Sequence, residues 1–239
     1  MKLHGQDFEI GDFQAQRSLL APATVRVILD VGANIGNTVA AYRDAFPQAD
    51  VYAFEPFAPI YEKLAGRFAG DGRVHPFHLA AGRRPETKLF FVNEYVDTNS
   101  LLPRPSSGRR YYAADNLPRS TVLVEVTTLD EFTQQQEIVH IDILKLDIQG
   151  GEADALAGAR RLLSGSRIDL IFSEVFFAPH YEGACLFHEI TGILAGYNYT
   201  LHNLYHMVSG SNGQLRFADA LYVSDQIRRN AVDGWPPEA

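Results

Sequence analysis

The chain has 239 residues, 46% of them apolar and 21% charged, and its 21 basic and 29 acidic side chains leave a formal charge of −8. That length suits one large domain, and that composition excludes disorder, collagen-like sequence and a charged tail protein. A polyanionic nucleic acid would need a local basic patch; the best run, Arg104, Arg109 and Arg110, sits in a Pro/Ser/Gly-rich stretch and reads as a solvated loop. No nucleic-acid partner is therefore expected. The single cysteine, Cys185, excludes an internal disulfide framework and a cysteine-rich zinc site, and suits a reducing compartment. No stretch approaches the roughly 18 apolar residues of a membrane span. The opening MKLHGQDFEIGDFQ carries charges where a secretory signal needs an apolar run. A cytoplasmic protein without a membrane partner is expected.

Short apolar runs recur along the chain, each followed by a turn and a helical pattern. The runs are Val25 to Val31, Val51 to Phe54, Val74 to Leu79, Ile141 to Ile148 and Ile168 to Val175. Several are apolar at consecutive positions, as in parallel strands buried on both faces. Ile60, Leu64 and Phe68 keep helical spacing after Pro59, as do Leu156, Ala159 and Leu163 after Glu152. The alternation predicts an α/β fold with helices on both faces of the sheet. Residues 93–120 break the rhythm, with three prolines, several Ser, Gly108, and Tyr95, Tyr111 and Tyr112. A connection of that length is commonly functional or disordered. Near the C-terminus, Tyr199 to Val208 and Leu215 to Val223 flank the turn residues SGSNG and predict an antiparallel pair. The final NAVDGWPPEA, residues 230–239, reads as a tail.

The most informative stretch is Val27-Ile-Leu-Asp-Val-Gly-Ala-Asn-Ile-Gly-Asn-Thr: a buried strand, a glycine turn, and a helix starting near Asn37 or Thr38. Free N–H groups at such a helix start favour an anionic ligand group; the same pattern also serves as a tight turn without any ligand. No Gly-Lys-Ser/Thr follows, which removes a phosphate-cradling P-loop. A dinucleotide turn needs glycines at relative positions 1, 3 and 6, and here these are Gly32, Asn34 and Asn37. The spacing suits a cofactor without a pyrophosphate. The second run ends at Glu55-Pro56, and an acid about 20 residues past a glycine turn accepts hydrogen bonds from ribose hydroxyls. Its charge also repels a 2′-phosphate, against NADP. The alternative for Glu55 is a solvated or helix-capping acid.

Asp147 ends an otherwise apolar run at the carboxyl edge of a central strand, the edge along which open α/β sheets bind ligands. A carboxylate there must be paired, hydrated or functional, and Lys145, two positions earlier, is its structural partner on the same face. Glu174 ends the next strand in the same way. Glu152 opens a helix, where a cap or dipole role is the alternative to function.

Taken together, DVGANIGNT at 30–38, FEP at 54–56, TTLDEF at 127–132 and DILKLDIQGGEADALAGA at 142–159 resemble the FkbM family of class I S-adenosylmethionine-dependent methyltransferases. FADALYVS at 217–224 is a weaker echo, and the likeness spans roughly residues 25–224. Gln149 and the second glycine, Gly151, depart mildly from the family's usual acid-Gly-x-Glu pattern. The resemblance implies a Rossmann-like fold: a mostly parallel seven-stranded sheet with an antiparallel C-terminal strand and helices on both faces. It implies one methyltransferase domain over 1–239, with an N-terminal extension at 1–24 and a lid at 93–120. It places Asp30, Gly32, Asn34 and Gly36 around the methionine part of S-adenosylmethionine, with Glu55 on the ribose. Ala80 and Ala81 are small enough to admit a flat adenine, and close packing at a strand end explains them equally. Asn99 and Ser100 are lid residues able to touch cofactor or substrate.

The implied reaction is methyl transfer to a hydroxyl of a sugar or a polyketide-like secondary metabolite, yielding S-adenosylhomocysteine. A nitrogen or carboxylate acceptor, or cofactor binding without turnover, is the alternative. The acceptor hydroxyl needs a base or metal to draw off its proton. Asp147 and Glu174 are the candidate bases, joined by His180 and His202, with His206 nearby, on the expected substrate side. The two acids with a histidine or water offer oxygen ligands to Mg²⁺, but the family is not defined by a metal and no metal ligand is assigned. A homo-oligomer is compatible with all of this.

Overall fold

The computed structural model describes residues 11–105 and 118–234. The main sheet holds seven strands. In chain order they are β1 (Val27–Val31), β2 (Asp50–Phe54), β3 (Val74–Phe77), β7 (Ile141–Leu146), β8 (Ile168–Phe176), β9 (Thr200–Ser209) and β10 (Leu215–Val223). They lie in the order β3-β2-β1-β7-β8-β10-β9. All neighbours up to β8 pair in parallel, and β10 runs against both β8 and β9. The expected reversed C-terminal strand is thus present, inserted between β8 and β9.

The consecutive apolar runs are explained by burial on two sides. Ile28, Ile143 and Leu170 face a core built with helices α1 (Asp12–Leu19), α2 (Asn37–Ala45) and α3 (Ala58–Arg67), which contribute Ala15, Tyr42 and Leu64. Leu29, Leu144 and Ile171 face the opposite core. There α4 (Leu129–Gln135), α5 (Glu152–Ala157), α6 (Arg160–Ser164) and α7 (Phe187–Ala195) supply Phe132, Leu156, Leu163 and Leu194. The helix expected after Glu152 is two short ones, because Gly158 interrupts it. A Cβ at Gly158 would lie 2.1 Å from the Gly82 carbonyl oxygen, so the chain bends where two backbones meet.

Three features depart from the sequence reading. The third strand stops at Phe77, and Ala80–Ala81 form a separate strand, β4. Together with β5 (Glu86–Val92) and β6 (Ser120–Thr127), β4 makes a second sheet in the order β4-β6-β5. The stretch 93–120 therefore largely joins the two antiparallel strands of a hairpin; Arg109, Arg110, Tyr111 and Tyr112 lie outside the described residues. The N-terminal extension contributes α1, whose Ala15 and Gln16 are buried, and a helical segment enters the expected tail as far as Val232. No helix among the described residues is long and apolar enough to cross a membrane.

Candidate active site

A cavity of about 440 Å³ opens at the carboxyl ends of β1, β2 and β7. Gly32 and Asn34 line it, while Gly36 makes the turn possible from behind. Gly32 has φ +89°, and a Cβ there would sit 1.9 Å from the Asp147 carbonyl oxygen. The backbone approaches β7 so closely that only glycine fits. At Gly36, φ +84°, a Cβ would strike the Phe68 ring at 2.4 Å. Glu55 reaches back under this turn. Its Oε2 accepts from the Asn34 N–H at 3.1 Å and its Oε1 from the Phe57 N–H at 2.8 Å. Each oxygen keeps a further lone pair for a ligand hydroxyl. The opposite wall is apolar, from Phe54, Ile60, Leu79, Ala80, Ala81 and Phe90.

Not every expected cofactor residue reaches this space. Asp30 is fully buried one step below the glycine turn, with Lys145 Nζ 3.7 Å from its Oδ1, and does not line the cavity. Ser100 is buried as well; its hydroxyl donates to the Gln149 carbonyl at 2.7 Å and ties the lid stretch to the β7 turn. From the same stretch, Val96, Asp97, Asn99 and Leu101 line the cavity. Asp97 accepts from the Asn34 amide at 2.6 Å, joining lid and glycine turn.

At the floor, Lys145 Nζ lies 3.1 Å from Asp147 Oδ2. Gln149 bridges the two strand-end acids: its Nε2 donates to Asp147 Oδ1 at 3.1 Å and to Glu174 Oε2 at 2.7 Å. The Tyr181 hydroxyl donates to Gln149 Oε1 at 2.7 Å. Neither Gln149 nor Tyr181 was marked as a site residue by sequence. Gln149 stood out only as a family departure, and Tyr181 lies 32 positions away with no motif around it. In the next strand Asp219 pairs with Glu174 in register, and His206 Nδ1 meets Asp219 Oδ2 at 2.7 Å.

The acids outnumber the cations here. Burial, then the charge of Asp147, pushes the Glu174 carboxyl well above the usual carboxylate range. Burial opposes the charge on Lys145, but Asp147 and Asp30 outweigh it and hold the ammonium above an ordinary lysine. Lys145 thus stays charged beside Asp147, while Glu174 favours its neutral form.

The two histidines proposed as catalysts stand apart. His180 is buried, with Nδ1 2.8 Å from the Ala178 carbonyl oxygen, beside the Phe176 ring at 4.9 Å. His202 is exposed on the edge strand β9. Neither lines the cavity.

Glu152 opens α5 and folds back on the preceding turn. Its Oε1 accepts from the Ile148 N–H at 3.0 Å and the Gly150 N–H at 3.2 Å. Burial raises both Glu152 and Glu55 to about 7, against their backbone donors. Between about pH 4.5 and 7 these carboxyls keep a proton in the folded chain that the unfolded chain has released. Stability should therefore fall as pH rises through that window and level off above it. Glu152→Gln keeps an oxygen for both backbone donors but cannot titrate. Its Tm should fall less steeply with pH than that of the parent, and an equal slope would remove Glu152 as a contributor.

Comparison with known proteins agrees with this architecture. The chain matches the methyltransferase FkbM domain over residues 30–201. The AMB antimetabolite synthetase AmbE of Pseudomonas aeruginosa is 27% identical over 180 residues, covering 64% of this chain but only 8% of that protein. The chain thus spans under a tenth of that synthetase. The 2-O-methyltransferase NoeI of Sinorhizobium fredii is 24% identical over 178 residues, 72% of each chain. Among solved structures, TrmK of M. capricolum in complex with S-adenosyl-homocysteine is 10% identical with a TM-score of 0.46, covering 90% of this chain and 70% of its own. EvdMO1 is 8% identical with a TM-score of 0.48, covering 95% and 44%. The match over residues 30–201 makes this a methyltransferase-domain chain. Within that class, it belongs to the FkbM methyltransferase family.

Proposed function

We propose that this enzyme transfers a methyl group to a hydroxyl of a small molecule, a sugar or a polyketide-like secondary metabolite. The observation that carries this reading is the pair of acids joined through Gln149: Asp147, which lines the cavity, and Glu174, which stands behind it. A hydroxyl, unlike an amine with a free lone pair, needs a base. The name of NoeI, a 2-O-methyltransferase, supports an oxygen acceptor. The whole chain acts as one methyltransferase domain in the cytoplasm.

The cavity fits S-adenosylmethionine. Gly32 and Asn34 line the cavity end beside the glycine turn, where the amino-acid end would lie, the buried Glu55 carboxyl is placed for ribose hydroxyls, and Ala80 and Ala81 leave an apolar slot for a flat base. When bound, the cofactor would supply an electrophilic methyl group on a cationic sulfur. Asp147 lines the cavity and is the residue that would take the proton of the acceptor hydroxyl. Lys145 holds Asp147 in place, and the two carboxylates share the Gln149 amide. Orientation of the acceptor in line with the methyl group supplies much of the acceleration.

Calorimetry against S-adenosylmethionine tests the cofactor assignment. Glu55→Ala should weaken binding about ten- to a hundredfold, the cost of losing a charged acceptor for ribose hydroxyls; unchanged affinity would remove Glu55 from that role. Transfer of labelled methyl to pooled sugar and polyketide hydroxyls tests the reaction. Labelled ethers support it, whereas label found only on amines or carboxylates, or on nothing, overturns the oxygen acceptor.

A further inference from the structure

We infer that the Gln149 side-chain amide occupies the place a divalent cation would take between Asp147 and Glu174, so that the acid pair is held without a metal. This rests on reading those two acids as the acceptor-side pair. Paired strand-end carboxylates are the oxygen-rich setting that Mg²⁺ uses, yet here the space between them is filled by a donor. Both hydrogens of Gln149 Nε2 are directed at the acids, at 3.1 and 2.7 Å.

The amide cannot easily turn its oxygen to that space. The Tyr181 hydroxyl donates to Oε1 at 2.7 Å and fixes which end faces the acids. The backbone is fixed too. Gln149 adopts a left-handed φ of +56°, which costs energy for a residue with a Cβ. The Ser100 hydroxyl on its carbonyl and the Glu152 carboxylate on the flanking N–H groups of Ile148 and Gly150 hold that conformation. The other oxygen of Asp147 already meets the Lys145 ammonium. The remaining charges around the pair come from Asp30 on β1, Glu152 on α5, and Asp219 on β10 with its partner His206 on β9. The residues present therefore do not fit Mg²⁺ at this position. Gln149 is a positioning residue acting on Asp147 and Glu174.

Replacing the amide with a carboxylate should create the metal site. A separate cluster, His140, Asp142 and Asp169, lies at the other end of the sheet and brings its ligand atoms within 4.8 Å of one another; His140→Ala removes it from the measurement. In that background, Mn²⁺ is titrated by calorimetry into the parent, Gln149→Glu, and Gln149→Glu with Glu174→Gln. Gln149→Glu should bind Mn²⁺ at least tenfold more tightly than the parent, and the added Glu174→Gln should abolish the gain. Methyl transfer by the wild-type chain should survive chelation. A folded Gln149→Glu protein with no gain overturns the inference. So does a parent that binds Mn²⁺ through Glu174, a comparison with Glu174→Gln that stands even if Gln149→Glu does not fold. Full turnover by Asp147→Asn and Glu174→Gln would instead overturn the acceptor-side reading, and the Mn²⁺ result separates the two failures.

Discussion

Asp147→Asn should lower methyl transfer about a hundred- to ten-thousandfold, the range that a positioned proton acceptor contributes, while S-adenosylmethionine affinity changes less than tenfold. The asparagine retains an oxygen for the Gln149 amide or the Lys145 ammonium, and Lys145 keeps Asp30 as a second partner at 3.7 Å. The fold therefore tolerates the change, and what disappears is basicity at the cavity edge. Single-turnover rates with labelled cofactor, set beside calorimetric affinities, separate chemistry from binding. Turnover within threefold of the parent would remove Asp147 as the base and pass the role to Glu174.

The second large effect is structural. Gly32→Ala puts a methyl group 1.9 Å from the Asp147 carbonyl oxygen and 2.9 Å from its carbon, both backbone atoms that cannot rotate away. It does so on a residue at φ +89°, a conformation that only glycine adopts without strain. Either β1 separates from β7 or the turn is rebuilt. The expected loss is about 3 kcal/mol or more, a fall in Tm of roughly 6–12 °C for a domain of this size, together with loss of cofactor binding. Gly66→Ala is the control. A Cβ on Gly66, within α3, meets nothing within 4 Å, so that variant should match or slightly exceed the parent in Tm. Equal melting of Gly32→Ala and the parent would show that the turn has room the geometry denies.

Both predictions concern parts of the molecule that were legible in the sequence. Strands buried on two faces leave consecutive apolar residues, so β1, β7 and β8 were visible as runs, and an acid closing such a run marks the edge where ligands bind. The satellite sheet was not visible. In β5 and β6 only one face is buried, Leu89 and Leu123 are exposed, and a Pro/Ser/Gly-rich stretch separates the strands. Their alternating pattern was overshadowed by the loop between them. Ala80 and Ala81 line the cavity, but from a separate strand rather than from the end of the third. Asp30 shows a different limit: the glycine motif includes it, but period-two geometry sets it a full step beneath the turn, where it balances Lys145. Gln149 and Tyr181 meet only through folding, because the hydrogen bond between them spans two short helices, a strand and a loop.

The reversed strand has one more implication. Because β10 enters the sheet from the opposite direction, Asp219 sits inside a ladder bonded on both sides, in register with Glu174. The strand-end acids are thus carried by sheet interior, while the stretch around 96–101 that lines the cavity is a connection. Grafting that connection from a relative should alter which molecule is accepted and leave the acids of β7, β8 and β10 in place.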